Sequence, residues 1–233
     1  MPRTHRRPQR RPSHLARRGG ALVLTAALLC GCGGSADDWS KPHAKPTAVG
    51  ALGAGFVAAD GTPAPESTIT PRPGSWDRVR PEKGYRVVLL RFGDDAPTRT
   101  VADAVTQWAD EVDASLKTVT VAKPVEVLER IGDALALKPD LIISAGNHLV
   151  DPLALVTANH LDQQFLVVGA EVAEPTGNVT AADWTGASFR GEGLGLPSAY
   201  DPASFTPERA GRAVRAGVAA VLEGVTGVVL RID

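Results

Sequence analysis

The sequence predicts an open α/β sheet, mostly parallel and covered by helices on both faces, of the Rossmann or flavodoxin type. Three observations predict it. From Tyr85 onward, β-type runs alternate with helix-length amphipathic stretches; most strand-like runs are parted by such a stretch, which calls for right-handed crossovers; and no internal repeat points to a solenoid or propeller.

The elements follow in order. Tyr85 to Phe92 (YRVVLLRF) is a β-branched, leucine-rich strand ending at Gly93. Thr98 to Leu116 carries apolar residues at Val101, Ala104, Val105, Trp108, Ala109 and Val112, the stripe of an amphipathic helix. Lys117 to Ala122 is a second strand, Pro124 to Leu137 a helix with proline in its first turn, and Asp140 to Ser144 a third strand. Leu149 to Leu161 reads as helical, Gln164 to Val168 as a fourth strand and Val179 to Ala182 as a short fifth. Thr206, Pro207 and Glu208 open a long amphipathic helix to Glu223, and Val225 to Ile232 is the last strand.

Ahead of this lobe, seven arginines (Arg3, Arg6, Arg7, Arg10, Arg11, Arg17, Arg18) and no acidic residue precede the apolar run Ala21 to Leu29. That run is too short to span a bilayer and suits the core of an export signal. It ends in Leu-Cys-Gly-Cys, the kind of site at which a bacterial lipoprotein signal is cut. Cys32, with small Gly31 before it and Leu29 three before it, is the expected lipid acceptor; Cys30 would put Leu29 at the cleaved bond. A plain secretory signal is the alternative, and Arg17-Arg18 leaves twin-arginine export open. From Gly33 to about Glu82 the chain is rich in Gly, Pro, Ala, Ser and Thr and reads as a tether. Within it Gly50 to Val57 has the look of a short docked strand, and Trp39 and Trp76 either pin the tether to the lobe or stand exposed. The expected division is residues 1–31 signal, 32–83 lipidated cysteine and tether, 84–233 α/β lobe.

Removing the signal takes seven of the 25 basic residues and none of the 26 acidic ones, so the remainder carries 18 against 26, a net charge of −8. Nucleic-acid binding, which needs a basic footprint on phosphate, is not expected. Cys32 is then the sole cysteine, which excludes an internal disulfide and a thiolate metal site. No cofactor and no metal are expected: His5 and His14 leave with the signal, and His43 and His160 stand isolated.

In sheets of this kind ligands sit beyond the carboxyl ends of the strands, so the residues just after each strand are candidates. They are Asp94 and Asp95 after the first strand; Ser144, Gly146, Asn147 and His148 after the third; and Asp183 and Trp184 after the fifth. Gly146 lets backbone N–H groups approach a ligand, Asn147 and His148 supply neutral donors and acceptors, and Trp184 is placed to stack on a planar base or else to cover the sheet end. A hydrolase would use Ser144 with His148 and Asp151, but Ser144 lacks the strained Gly-x-Ser-x-Gly setting, so no catalytic residue is assigned. Gly191 to Gly195 neither follows a strong strand nor opens a helix and reads as a loop.

From Lys138 on, KPDLIISAGNHLVDPLALVTANHLDQQFLVVGAEV resembles the basic membrane protein family of substrate-binding lipoproteins, the solute receptors of certain ABC importers. The similarity continues through Asn178 to Phe189 and into the alanine-rich helix Ala210 to Leu222. The resemblance implies a periplasmic-binding-type lobe, a nucleoside-like small solute and an ABC permease as partner. Two departures accompany it. After the first strand the family carries a serine-phenylalanine-asparagine element, where this chain has Gly93-Asp94-Asp95-Ala96-Pro97-Thr98; and Asp233 falls about where a family chain crosses into its second lobe. The expected protein is a non-enzymatic lipoprotein, lipid-anchored on the outer face of the cell membrane, with one solute-binding lobe. The alternatives are a protein-interaction or dimerisation module and, further off, a secreted hydrolase.

Overall fold

A computed structural model describes residues 38–45, 47–59, 61–187, 189–191 and 200–233. Cys30, Cys32 and the whole export signal lie outside these residues, as do residues 192–195 of the glycine-rich run. The strands are β1 (Ala48–Val49), β2 (Thr68–Ile69), β3 (Arg80–Pro81), β4 (Arg86–Phe92), β5 (Ser115–Val121), β6 (Leu141–Ala145), β7 (Phe165–Val168), β8 (Val179–Asp183) and β9 (Val229–Arg231). The helices are α1 (Ala96–Val112), α2 (Val127–Ala136), α3 (Val150–Thr157) and α4 (Pro207–Leu222). A seven-stranded sheet runs β5-β4-β6-β7-β8-β9-β2 with every neighbouring pair parallel, while β1 and β3 form a separate antiparallel pair. The expected open parallel α/β sheet is therefore what the chain forms.

Side-chain alternation along the strands divides the core into two layers. Val87 and Leu89 of β4, Leu141, Ile143 and Ala145 of β6, and Leu166 and Val168 of β7 face α1 and α4. Val88 and Leu90, Ile142, and Phe165 and Val167 face α2 and α3. Helix α1 starts where Asp95 caps it, accepting a bond from the Thr98 N–H, and α4 starts where Thr206 accepts from the Arg209 N–H.

Several boundaries differ from expectation, among them the end of α3 at Thr157 instead of Leu161, and three of the differences have plain local reasons. Helix α1 stops at Val112 instead of Leu116, because Asp113 takes a left-handed conformation (φ 56°) and turns the chain straight into β5. Strand β9 begins at Val229, not Val225: Gly227 (φ 71°) completes a turn after α4, and the Val225 N–H donates to the Ala220 carbonyl. Pro124 to Glu126 form a 3-10 turn ahead of α2.

The larger correction concerns the tether. Residues 47–59 and 61–83 are part of the packed body. Phe56 and Trp76 are buried, meet edge to face at 6.4 Å, and belong to the α1/α4 core layer. Thr68 and Ile69 add an edge strand beside β9, and β1 pairs with β3. Gly50 to Val57 is not a strand but a series of turns that delivers Phe56 to the core. Average composition concealed this, because a few widely spaced apolar side chains suffice to dock a turn-rich segment.

Upstream, residues 38–43 strap the bottom of the sheet. The Trp39 indole N–H donates to the Ser115 hydroxyl (2.8 Å), the Arg86 guanidinium donates to the Asp38 and Lys41 carbonyls (3.0 Å each), and His43 Nε2 lies 3.0 Å from Asp140 Oδ2.

Candidate functional site

The chain runs from β4 to β5 on one side, then crosses to β6 on the other, so the direction of strand addition reverses between β4 and β6. At such a switch point the loops diverge and leave a crevice beyond the carboxyl ends of the strands. Here the crevice is a cavity of about 510 Å³. Its polar wall is Asp95, Thr98, Asn147 and His148; its apolar wall is Val101, Val168, Phe189, Tyr200 and Phe205; Gly146 and Gly169 form the floor.

Local chemistry fixes that floor. Gly146 (φ 115°) follows β6, and a Cβ there would stand 2.2 Å from the Phe92 carbonyl oxygen, so only glycine fits between the ends of β4 and β6. The Asp95 carboxylate accepts from the Thr98 N–H (3.0 Å) and hydroxyl (2.8 Å). Burial pulls the Asp95 pKa upward, but these hydrogen bonds prevail and hold it below the usual value. Tyr200 is pushed the other way, first by burial and then by the nearby Asp95 charge. The His148 ring packs against Phe92 with centroids 5.2 Å apart. Among the described residues, no lysine or arginine lines the cavity. The arrangement suits a neutral or donor-rich planar molecule: rings for its faces, a carboxylate and an amide for its edge.

The sequence-predicted residues are only partly brought together. Asp95, Gly146, Asn147 and His148 line the cavity. Asp94 turns to solvent and pairs with Arg91 and Arg99. Ser144 is buried inside β6 on the face that carries Ile142, toward α2 and α3, so it does not line the cavity. Trp184 is fully buried, donates from Nε1 to the Ser204 hydroxyl (3.1 Å) and packs edge-on against Phe205 (4.9 Å). It supports the aromatic wall from behind and is not among the lining residues.

Asp183 is fully buried in a separate charged cluster. Arg231 Nε lies 3.0 Å from Asp183 Oδ1, though not in hydrogen-bond alignment, while Arg231 Nη2 reaches Glu171 at 3.3 Å and Arg190 reaches Glu171 at 3.2 Å. Burial, followed by the hydrogen bond and charge of Glu171, raises the Asp183 pKa far above the carboxylate range; Arg231 opposes this. With its pKa pushed up to about 9, the Asp183 carboxyl keeps its proton at neutral pH. Sequence reasoning missed Phe189, Tyr200 and Phe205. Their one signal was scarcity: with two tyrosines and five phenylalanines in the chain, three of these rings fall between Phe189 and Phe205.

Among the described residues no helix is long and apolar enough to cross a membrane, and no three His, Cys, Asp or Glu side chains gather to hold a metal ion. No protein-family model matches the chain, and no curated protein matches it. Solved structures similar to it include a solute-binding protein of an ABC transporter system from Aeropyrum pernix K1, at 20% identity over 43% of this chain and 29% of that one (TM-score 0.39). A second such protein, from Conexibacter woesei DSM 14684, is 16% identical over 63% of this chain and 54% of that one (TM-score 0.36). A lipoprotein fragment from Peptoclostridium difficile 630 is 16% identical over 59% of this chain and 98% of that one (TM-score 0.43). The α/β fold itself is established by the strand order.

Proposed function

We propose that the protein is a lipid-anchored, extracytoplasmic lipoprotein whose lobe binds a small solute in the cavity at the β4/β6 switch point. The observation that carries this is the cavity itself: about 510 Å³, within the range of small-molecule sites, with an aromatic wall facing an ionised Asp95 and Asn147. A nucleoside fits that division, its base against Phe205, Tyr200 or Phe189 and its hydroxyls toward Asp95 and Asn147. The resemblance to the basic membrane protein family supports the same solute class and an ABC permease as partner, and the Cys32 motif supports the anchor. The reading is that of a receptor, and it assigns no covalent step to the residues of the cavity.

The test is a thermal-shift screen against nucleosides, purines and sugars. A hit should be weakened by Asn147→Ala with the melting temperature of the free protein nearly unchanged. Trp184→Ala, by contrast, should chiefly lower stability. A protein-interaction module is the second reading, favoured by the exposed Leu128 and Leu155, which line a groove that shares Asn147, His148 and Phe189 with the cavity. A screen without hits, together with clean dimerisation in solution, would replace the first reading with the second.

A further inference from the structure

We infer that the solute is a two-part molecule, with a donor-rich head held in the cavity and an apolar arm, aryl or short alkyl, laid in the groove beside it. The inference rests on the solute-binding reading above and deepens it. The groove has a volume of about 380 Å³ and is lined from both α2 and α3. Buried Val127 and half-buried Phe92 line it together with Leu128 of α2 and Leu155 of α3, which are 62% and 72% exposed.

Asn147, His148 and Phe189 line both spaces, so cavity and groove share one wall. The two sides of that wall differ in chemistry. On the cavity side stand the Asp95 carboxylate and Thr98; on the groove side carbon predominates, and Asp151 is the one carboxylate among the described residues that line it. A head rich in donors finds acceptors in the cavity, whereas in the groove it would give up water without a replacement partner; an apolar arm gains there by the same transfer. The wall is held in place. The Phe189 carbonyl accepts from the Glu171 N–H (2.7 Å), the Arg190 guanidinium pairs with the buried Glu171 carboxylate (3.2 Å), and Gly191 lies so close to α3 that a Cβ there would stand 2.2 Å from Asp151 Oδ1. His148 is exposed, so the wall is open to solvent at that point and an arm can pass over it.

Size sets the groove apart from a protein interface. Ten described residues line it, against about 20–30 a side in a stable protein complex. It is concave and shares a wall with the cavity, which suits one part of a small molecule whose other part is already seated. Burying a ring the size of a benzyl group there should tighten binding by roughly tenfold to a hundredfold.

The experiment is calorimetric titration of the full chain with adenosine, N6-benzyladenosine and 5′-O-benzyladenosine, which carry the arm at neither end, the base end and the sugar end. At least one benzyl compound should bind roughly tenfold tighter than adenosine, or better. In the Leu128→Ser/Leu155→Ser double variant its affinity should fall close to that of adenosine. Both side chains are exposed, so the double variant should fold, and an unchanged melting temperature checks this. Benzyl compounds that bind no tighter than adenosine, or a gain that survives the double variant, would overturn the inference and leave the cavity as a solute site. Self-association that the double variant abolishes, with no benzyl gain in the parent protein, would give the groove to a protein contact and overturn it equally. If none of the three compounds binds, the nucleoside reading of the cavity falls, and the inference with it.

Discussion

The two faces of the sheet are built on different terms. On one face α1 and α4, each about four turns or more, lie against each other over β4, β6 and β7. Small residues make the close fit: Ala210, Ala213, Ala216 and Ala220 of α4 are fully buried, and Gly217 sits where a Cβ would come within 2.5 Å of Leu166 Cδ1. Phe56 and Trp76 seal the same layer from the amino-terminal segment. On the other face α2 and α3 span ten and eight residues. They leave Val125, Leu128 and Leu155 62–90% exposed. Along β8 and β9 the residues on this face change from Ala181 and Val229 to Asp183 and Arg231. Coverage, more than strand hydrophobicity, decides which face is dry.

The contrast is open to attack, beginning where the effect is largest. Phe56→Ala should destabilise the protein by about 3–5 kcal/mol in urea unfolding, the cost of emptying a buried aromatic site. A loss below about 1 kcal/mol would mean that residues 47–83 do not help seal the first face. Next, Gly217→Ala should cost about 1–3 kcal/mol, because Leu166 is fully enclosed and cannot step aside; at an ordinary mid-helix site the same change would stabilise.

The third test is pH. The folded Asp183 carboxyl binds its proton more tightly than the unfolded chain does, so between the unfolded pKa of 3.8 and the raised folded value the native state holds the extra proton. Stability should fall as pH rises through that window, with a limiting slope of about 1.4 kcal/mol per pH unit for one proton. Melting temperatures at pH 5.5 and 8.5 should therefore differ in the wild type and converge in Asp183→Asn. An unchanged difference in the variant would assign the slope to other groups. Smallest of all, Leu128→Ser and Leu155→Ser should move stability by no more than about 0.5 kcal/mol. Sedimentation of the pair of variants would show whether those side chains support self-association.

Much of the sheet could be read locally. Runs such as VVLLRF and LIIS are buried from two sides and announce themselves, and the α1 stripe appears at helical spacing. The docking of Phe56, Trp76 and β2 could not be read so, since the pairing partner of Thr68 is Val229 and nothing near residue 68 signals it. The candidate site divided in the same way. Asp95, Gly146, Asn147 and His148 were found because strand ends converge at a switch point. Asp94, Ser144, Asp183 and Trp184 satisfied the same positional rule but point elsewhere, into solvent, the opposite face or the core; position after a strand does not specify which way a side chain turns. Tyr200 and Phe205 reach the cavity from the approach to α4, a distance in sequence that no strand-end rule spans.

The pairing of β2 with β9 carries a kinetic consequence. It joins Thr68 to Val229, so a contact made early in the chain waits for a partner synthesised about 160 residues later, and such long closures slow folding. A nascent chain emerges with Ile69 and the Phe56 turn unpartnered until nearly the whole lobe is out. Shortening the chain before Val229 should accordingly expose residues 47–69 to protease as well as the C-terminal end itself.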